Sequence, residues 1–173
     1  MTDRFAHHLR LDQIRDGQRI DLVADEAERR AIADRLDLGP IERLDAHVTL
    51  SRTGPAVRAE GRLAATLEQR CVVTGEPIAA HIDEPFAFLF TPAPQHGEPD
   101  EEVELGTEDC DVVFYAGSAI DLGGAIADTL ALSLDPYPRS ASADAALREA
   151  GVLTEEQASP FAALAALKKE SDS

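Results

Sequence analysis

The feature of this sequence that most constrains its fold is a long alternation of small or apolar residues with polar ones on both sides of the pentapeptide SRTGP. The small or apolar positions are Leu44, Ala46, Val48 and Leu50 before the pentapeptide, and Val57, Ala59, Gly61, Leu63 and Ala65 after it. Successive side chains of a strand point to opposite faces, so a period of two predicts strands with one buried and one solvated face. Gly54-Pro55 is a turn signal, and the whole stretch therefore predicts a β-hairpin.

Further strands are expected on either side of this hairpin. "RFAHHLRLDQI" has the pattern of an edge strand, and "VVFY" that of a short returning strand. Between them, a turn at "TGEP" leads into "IAAHIDEPFAFLF", where Ile82, Phe86 and Phe88 recur with even spacing. These patterns predict an antiparallel β-meander of four to six strands that could curl toward a barrel.

Two helices are predicted beside the sheet. In the first, Asp25 is an N-cap and Glu28 completes a capping box, with Gly39-Pro40 as the end signal. The second begins at an Asp121 or Ser118 cap and ends at Asp135-Pro136. One face of the first helix is formed by Ala27, Ala31, Ile32, Arg35 and Leu36, and the stripe of the second that is expected to pack on the sheet is Leu122, Ile126, Leu130 and Leu134.

The predicted fold class is α+β, with the meander, one N-terminal helix, one helix packed on the sheet after it, and a short C-terminal helix. We expect residues 1–138 to form a single domain with an acidic loop near residues 91–111. Residues 139–173 read as a polar tail that ends in a short amphipathic helix over residues 160–169. A helix this short needs a docking surface, either on its own domain or on a partner, and the sequence leaves both open.

The charge of the chain is unevenly distributed. Residues 71–138 contain no Lys or Arg and 14 acidic residues, whereas residues 1–70 contain 12 basic and 13 acidic residues. Nucleic-acid affinity rests mainly on Lys and Arg, so the acidic half is a poor ligand for RNA. It would attract basic proteins, although an acidic stretch can also serve solubility alone.

The sequence also allows a prediction of the cellular compartment. No apolar run is long enough to span a membrane, and the first residues lack the apolar segment of a secretory signal. The two cysteines, Cys71 and Cys110, are far apart and form no paired motif. We therefore predict a cytoplasmic protein without a membrane interaction.

Cys71 raises the question of a chemical role. No two members of the set of possible soft ligands have the spacing of a metal site; the set is Cys71, Cys110, His7, His8, His47, His81 and His96. A catalytic thiol would need a base, and His81 could face Cys71 across a hairpin, but acidic neighbours would raise the thiol pKa. We expect a buried apolar cysteine, with no metal, no cofactor, no catalytic residue and no small-molecule substrate.

Three segments together resemble the YceD family, the large ribosomal RNA subunit accumulation proteins. They are "QRCVVTGEPIAAHIDEPFAFLFTP", "IDLGGAIADTLALSLDPYPR" and "SPFAALAALKK", which cover the chain from about Gln69 to Lys169. The family-motif positions are Cys71, Thr74, Gly75, Pro77, Asp121, Leu122, Asp135, Pro136, Pro160 and Phe161. Many relatives carry a second cysteine near the first, which implies a zinc site there, but this chain has Thr74 at that place.

The resemblance implies a non-enzymatic bacterial or plastid-type factor needed for accumulation of large-subunit (23S) ribosomal RNA. Combined with the charge distribution, it predicts a basic ribosomal protein or large-subunit assembly factor as partner, with RNA contacted only indirectly. The candidate partner-binding residues are Glu98, Asp100, Glu101, Glu102, Glu104, Glu108, Asp109, Asp111, Phe161, Leu164 and Leu167. An arginine set in the amino-terminal half could still touch RNA: Arg29, Arg30, Arg43, Arg58 and Arg62.

Two other hypotheses stay open at this point. One is an RNA-turnover enzyme or metal-dependent protein that uses Cys71 and His81. The other is a globular domain whose acidity serves only solubility.

Overall fold

The computed structural model describes residues 7–93 and 110–152. The chain divides into two compact units, one formed by Met1–Gln69 with Ala79–Pro136 and the other by Arg70–Ile78 with Tyr137–Ser173. The strands are β1 (His8–Arg10), β2 (Gln18–Val23), β3 (Ile41–Thr53), β4 (Ala56–Arg70), β5 (Pro77–Pro92), β6 (Asp111–Tyr115) and β7 (Ala119–Asp121). The helices are α1 (Glu26–Leu36), α2 (Leu122–Ser133) and α3 (Ala143–Glu149), and a 3₁₀ turn spans Leu11–Gln13.

The predicted hairpin is the centre of the larger unit. Strands β3 and β4 pair antiparallel along their length, from Ile41↔Leu67 to Thr53↔Ala56, and Gly54 at the turn adopts a positive φ of 61°. The inward positions of both strands are buried as the alternation predicts, among them Leu44, Leu50 and Leu63. The period of two therefore identified both the strands and their buried face.

The main sheet has five strands in the order β2-β3-β4-β5-β6. Strand β6 runs parallel to β5, with Leu89 opposite Val112 and Phe90 opposite Val113. The prediction of a purely antiparallel meander is therefore wrong at this strand. Parallel neighbours need a long connection, and residues 93–110 provide it in sequence.

Among the described residues the sheet does not close into a barrel, because β2 and β6 are both end strands of the order. The short strand predicted near the amino terminus is present as β1, but it pairs with β7 in a separate two-stranded sheet, with Leu9 opposite Ile120.

Helix α1 begins as predicted and ends earlier. The Glu28 N–H donates to the Asp25 carboxylate at 2.8 Å, and the Asp25 N–H donates to the Glu28 carboxylate at 3.0 Å, which completes the capping box. The helix ends at Leu36, followed by the left-handed cap residue Asp37 with φ of 52°, and not at Gly39-Pro40. Of the predicted apolar face, Ile32 is buried, whereas Ala27 is exposed.

Helix α2 packs on the core through Leu122, Ile126 and Leu130, which are all fully buried. Asp121 is its N-cap, and its carboxylate accepts a hydrogen bond from the Gly124 N–H at 2.9 Å. A Cβ at Gly124 would lie 2.5 Å from the Asp121 carboxylate, so glycine at this position makes room for the cap. The helix ends at Ser133, two residues before Asp135-Pro136.

The core lies on one face of the sheet. On β5, Phe86, Phe88 and Phe90 point into it, with ring centroids 4.8 Å apart for the first pair and 5.9 Å for the second. A groove of about 340 Å³ on the same side is lined by residues of α1, α2, β5 and β6, among them Ile32, Phe88, Val113 and Leu132. The helices thus cover this face.

The smaller unit contains α3, a seven-residue helix in the segment predicted to be a polar tail. The predicted helix over residues 160–169 lies outside the described residues. A bilayer-spanning helix needs about 20 apolar residues, and the described part of the chain contains no helix that qualifies.

Candidate functional site

Cys71 lies at the start of a tight turn in the smaller unit. Its N–H donates to the Glu76 carbonyl at 2.8 Å, and its carbonyl accepts from the Gly75 N–H at 2.9 Å. Gly75 supplies the positive φ of 74° that the turn requires. Cys71 is 3% exposed, so the prediction of a buried cysteine is confirmed.

Three donors surround the Cys71 sulfur. The Thr74 N–H is 3.4 Å from Sγ, and the N–H and hydroxyl of Ser140 are 3.3 and 3.4 Å away. Burial alone raises the pKa of the thiol, but the hydrogen bonds from Ser140 and Thr74 outweigh it and lower the pKa from 9.0 to about 6. The expectation that acidic neighbours raise this pKa is therefore wrong, because local donors decide it.

Glu76 is the carboxylate of this turn. It accepts hydrogen bonds from the hydroxyls of Ser142 and Thr74, the latter at 3.0 Å. Bonds from Ser142, Ser140 and Thr74 hold its pKa below the usual range. A carboxylate whose pKa is lowered in this way is a weak base, so Glu76 is poorly suited to take a proton from the Cys71 thiol.

Within the described residues, the structure shows neither a cluster of metal ligands nor a histidine bonded to the Cys71 sulfur. The described residues contain no group of three His, Cys, Asp or Glu side chains placed to hold a metal ion. His81 is exposed on β5, and its Nδ1 lies 3.4 Å from the Thr66 hydroxyl on β4. The groups that hydrogen-bond the Cys71 sulfur are donors from Thr74 and Ser140, and neither is an imidazole.

The other family-motif positions have structural surroundings where they are described. The side-chain N–H of buried Gln69 donates to the Asp135 carbonyl at 2.8 Å, and Pro77 begins β5. Asp121 caps α2, and Leu122 is fully buried behind it. Pro160 and Phe161 lie outside the described residues.

The arginines proposed as RNA contacts all interact with protein oxygens. Arg62 pairs with Asp83 at 2.9 Å, Arg58 with Glu60 at 2.7 Å, and Arg30 with Glu26 at 2.8 Å. Arg43 pairs with the buried carboxylate of Asp45, and Arg29 donates to the Ala24 carbonyl at 2.7 Å. The four ion pairs reduce the positive charge that an RNA backbone would meet.

The acidic partner-binding residues are described only in part. Asp111 begins β6, is exposed and lines the groove beside α2. The other candidates, Glu98 to Asp109 and Phe161, Leu164 and Leu167, lie outside the described residues.

An apolar strip beside Asp111 was missed in the sequence. On the sheet face opposite the core, β5 and β6 present Leu89, Val112 and Phe114, and Phe114 is 62% exposed. The signal was in "DVVFY", where apolar residues occupy both parities of the strand. Such a two-sided pattern is typical of a strand covered on both faces.

The comparisons with known proteins agree with the motifs. A family model described as large ribosomal RNA subunit accumulation protein YceD matches residues 59–168. No curated protein and no solved structure gives a significant match. Because the family model covers more than half of the chain, the protein belongs to the YceD family of large ribosomal RNA subunit accumulation proteins.

Proposed function

We propose that this protein is a non-enzymatic, cytoplasmic ribosome-biogenesis factor that acts on large-subunit RNA through a basic protein partner. Membership of the YceD family supports the role in accumulation of large-subunit (23S) ribosomal RNA. The basic character of the partner is inferred from one observation: residues 71–138 contain no Lys or Arg but 14 acidic residues.

The charge argument opposes direct RNA binding by this half of the protein. Each phosphate contact needs a cation that displaces counterions, and the acidic half has none to offer. A basic ribosomal protein or a large-subunit assembly factor would instead be attracted, and its association would weaken as salt screens the charges.

The direct experiment is affinity purification of the tagged protein from growing cells at low and high salt, with and without ribonuclease. We expect basic large-subunit proteins or assembly factors to co-purify after ribonuclease treatment and to be released by salt. Neutralising the acidic residues of Glu98–Asp111 should abolish this capture, whereas Arg58→Gln with Arg62→Gln should preserve it. Capture that is lost with ribonuclease, or that requires the two arginines, would contradict the proposal.

The rival hypothesis is an enzyme that uses the Cys71 thiolate. It has one specific observation in its favour, the low thiol pKa, and it predicts that Cys71→Ser abolishes function in a folded protein. Our proposal predicts that Cys71→Ser and His81→Ala leave ribosomal RNA levels unchanged as long as the protein is folded.

The thiolate itself gives a measurable prediction. In a Cys110→Ser background, ultraviolet titration of the thiolate should give a pKa of about 6 for Cys71, and Ser140→Ala should raise it toward 9.0. Because the pKa of Cys71 is lower in the folded than in the unfolded protein, ionisation of the thiol stabilises the fold. This stabilisation is present in full above pH 9.0 and is lost as the pH falls to about 6. A midpoint that Ser140→Ala does not move would show that the Ser140 hydroxyl is not a cause of the low pKa.

A further inference from the structure

The end strand β6 has one edge that pairs with no strand of the described structure. It is the last strand in the order β2-β3-β4-β5-β6, so within the described residues only the β5 side of β6 is paired. A strand edge presents alternating N–H and C=O groups that can pair with an added strand. Edges of this kind are usually protected by charge or by covering elements.

The outer face of β6 is apolar and, in the described part of the chain, at least partly exposed. Val112 lies beside Leu89 and Phe114 beside Thr91 on the face opposite the core, while α1 and α2 lie over the core face. Phe114 is 62% exposed, the second most exposed aromatic side chain described after Tyr137. An exposed aromatic side chain on an open edge offers an anchor for a side chain of an incoming strand.

The helix side of β6 is acidic. Asp111 is exposed at its start, and Asp128 of α2 lines the same groove, with its carboxylate 3.2 Å from Arg35. Side chains of an added strand alternate between the two faces of a sheet. One parity would therefore meet Val112 and Phe114, and the other would meet Asp111 and the groove.

We propose that the β6 edge binds an extended segment of a basic protein in which cationic and apolar side chains alternate. The apolar side chains pack on Phe114 and Val112, and the cationic ones face Asp111. Charge complementarity selects this occupant, because β5 and β6 contain no Lys or Arg and the cation that lines the groove, Arg35, is paired with Asp128. The inference rests on the proposed function for the identity of the partner as a ribosomal or assembly protein, but the surface can be tested without it.

The first test measures binding of a short synthetic peptide with alternating Lys and Val to the full chain by fluorescence anisotropy. Phe114→Ser should weaken binding at least about tenfold, as for an aromatic anchor. Asp111→Asn should weaken it about two- to fivefold, as for a charge at the rim. A peptide of the same sequence with N-methylated backbone amides should not bind, because it cannot pair with a strand edge.

Matched control variants are available in the same unit. Val23→Ser removes an exposed apolar side chain at the opposite end strand, where Val23 is 73% exposed. Asp34→Asn removes one exposed charge from α1. Neither change should alter peptide binding, and equal binding of the N-methylated peptide, or unchanged binding by Phe114→Ser, would overturn the proposal.

The second test separates this inference from the proposed function. Purified large-subunit ribosomal proteins are captured on the wild-type protein and on the Phe114→Ser and Val23→Ser variants. If Phe114→Ser loses capture and Val23→Ser does not, the β6 edge is supported as the binding site. If salt-sensitive capture survives Phe114→Ser, the β6 edge is ruled out as the site, while the proposed function stands. If the wild-type protein captures nothing, ribosomal proteins are excluded as the partner in the proposed function. The peptide experiment alone then decides whether the β6 edge binds an extended segment.

Discussion

The two end strands of the five-stranded sheet differ in how they meet solvent. Strand β2 carries exposed Val23, but its neighbours on the outer face are charged: Val23 pairs with Asp45, and Asp21 pairs with His47, whose Nδ1 is 2.7 Å from the carboxylate. Strand β6 carries exposed Phe114, and its neighbours on that face are Thr91, Val112 and Leu89.

This difference separates a protected edge from an available one. Charged side chains beside an edge oppose addition of another strand, because pairing would desolvate them. The β2 end has such charges in the exposed pair of Asp21 and His47, whereas the β6 end has an apolar strip next to an acidic groove. One sheet thus has a solvated end and an end suited to a partner.

The largest expected effect is a difference in the free energy of unfolding between substitutions on the two faces of the sheet near β6. Phe90 is fully buried on the core face, so Phe90→Ala should lower the free energy of unfolding by about 3–5 kcal/mol. Phe114→Ser on the outer face should change it by less than about 0.5 kcal/mol. Denaturant unfolding of both variants measures this, and a large loss for Phe114→Ser would mean that the strip belongs to the core and not to a binding surface.

The next effect compares the two helix caps. Asp25 and Asp121 each accept a backbone N–H, so substitution by Ala should cost about 0.5–2 kcal/mol in each case. Asp25 should be the more costly, since it belongs to a reciprocal capping box and Asp121 does not. Thermal unfolding with Asp34→Ala as the control tests the ranking, and an effect of Asp34→Ala as large as that of Asp25→Ala would remove capping as the explanation.

The smallest effect concerns the charges that protect the β2 end. The hydrogen bond with Asp21 and its charge raise the pKa of His47, with a further contribution from Asp45. A raised pKa means that this interaction stabilises the fold at low pH and is lost as the pH rises through the folded value. Nuclear magnetic resonance titration should show a lower His47 pKa in Asp21→Asn, and an unchanged value would show that the pair is not formed in solution.

Local patterns in the sequence predicted most of the elements, but they missed β2, β7 and α3 and did not give all of the strand neighbours. The alternation around Gly54 identified the β3–β4 hairpin, and Asp25 with Glu28 identified the start of α1, because both signals act within a few residues. Whether β6 runs parallel or antiparallel to β5 depends on the connection formed by residues 93–110. The local pattern "VVFY" carries no information about that connection. The donors to Cys71 come partly from Ser140, 69 residues away, and no spacing rule joins two such positions.

The apolar surface at β6 shows the same limit. Apolar residues at both parities of Asp111–Tyr115 indicate a strand covered on two faces, yet the described residues cover only one. The sequence pattern alone therefore does not reveal that Phe114 is exposed. The structure reveals it, because both helices lie on the core face of the sheet and Phe114 points to the other face.

The central claim is that the acidic half of the protein, and not its arginines, supports accumulation of large-subunit ribosomal RNA. The most direct measurement is the ratio of large- to small-subunit ribosomal RNA in cells that lack the protein and are complemented with matched variants. Wild-type protein and the folded Arg58→Gln, Arg62→Gln variant should restore the ratio, and a folded variant with Glu98–Asp111 neutralised should not. Restoration by the neutralised variant, or failure of the folded arginine variant, would contradict the account.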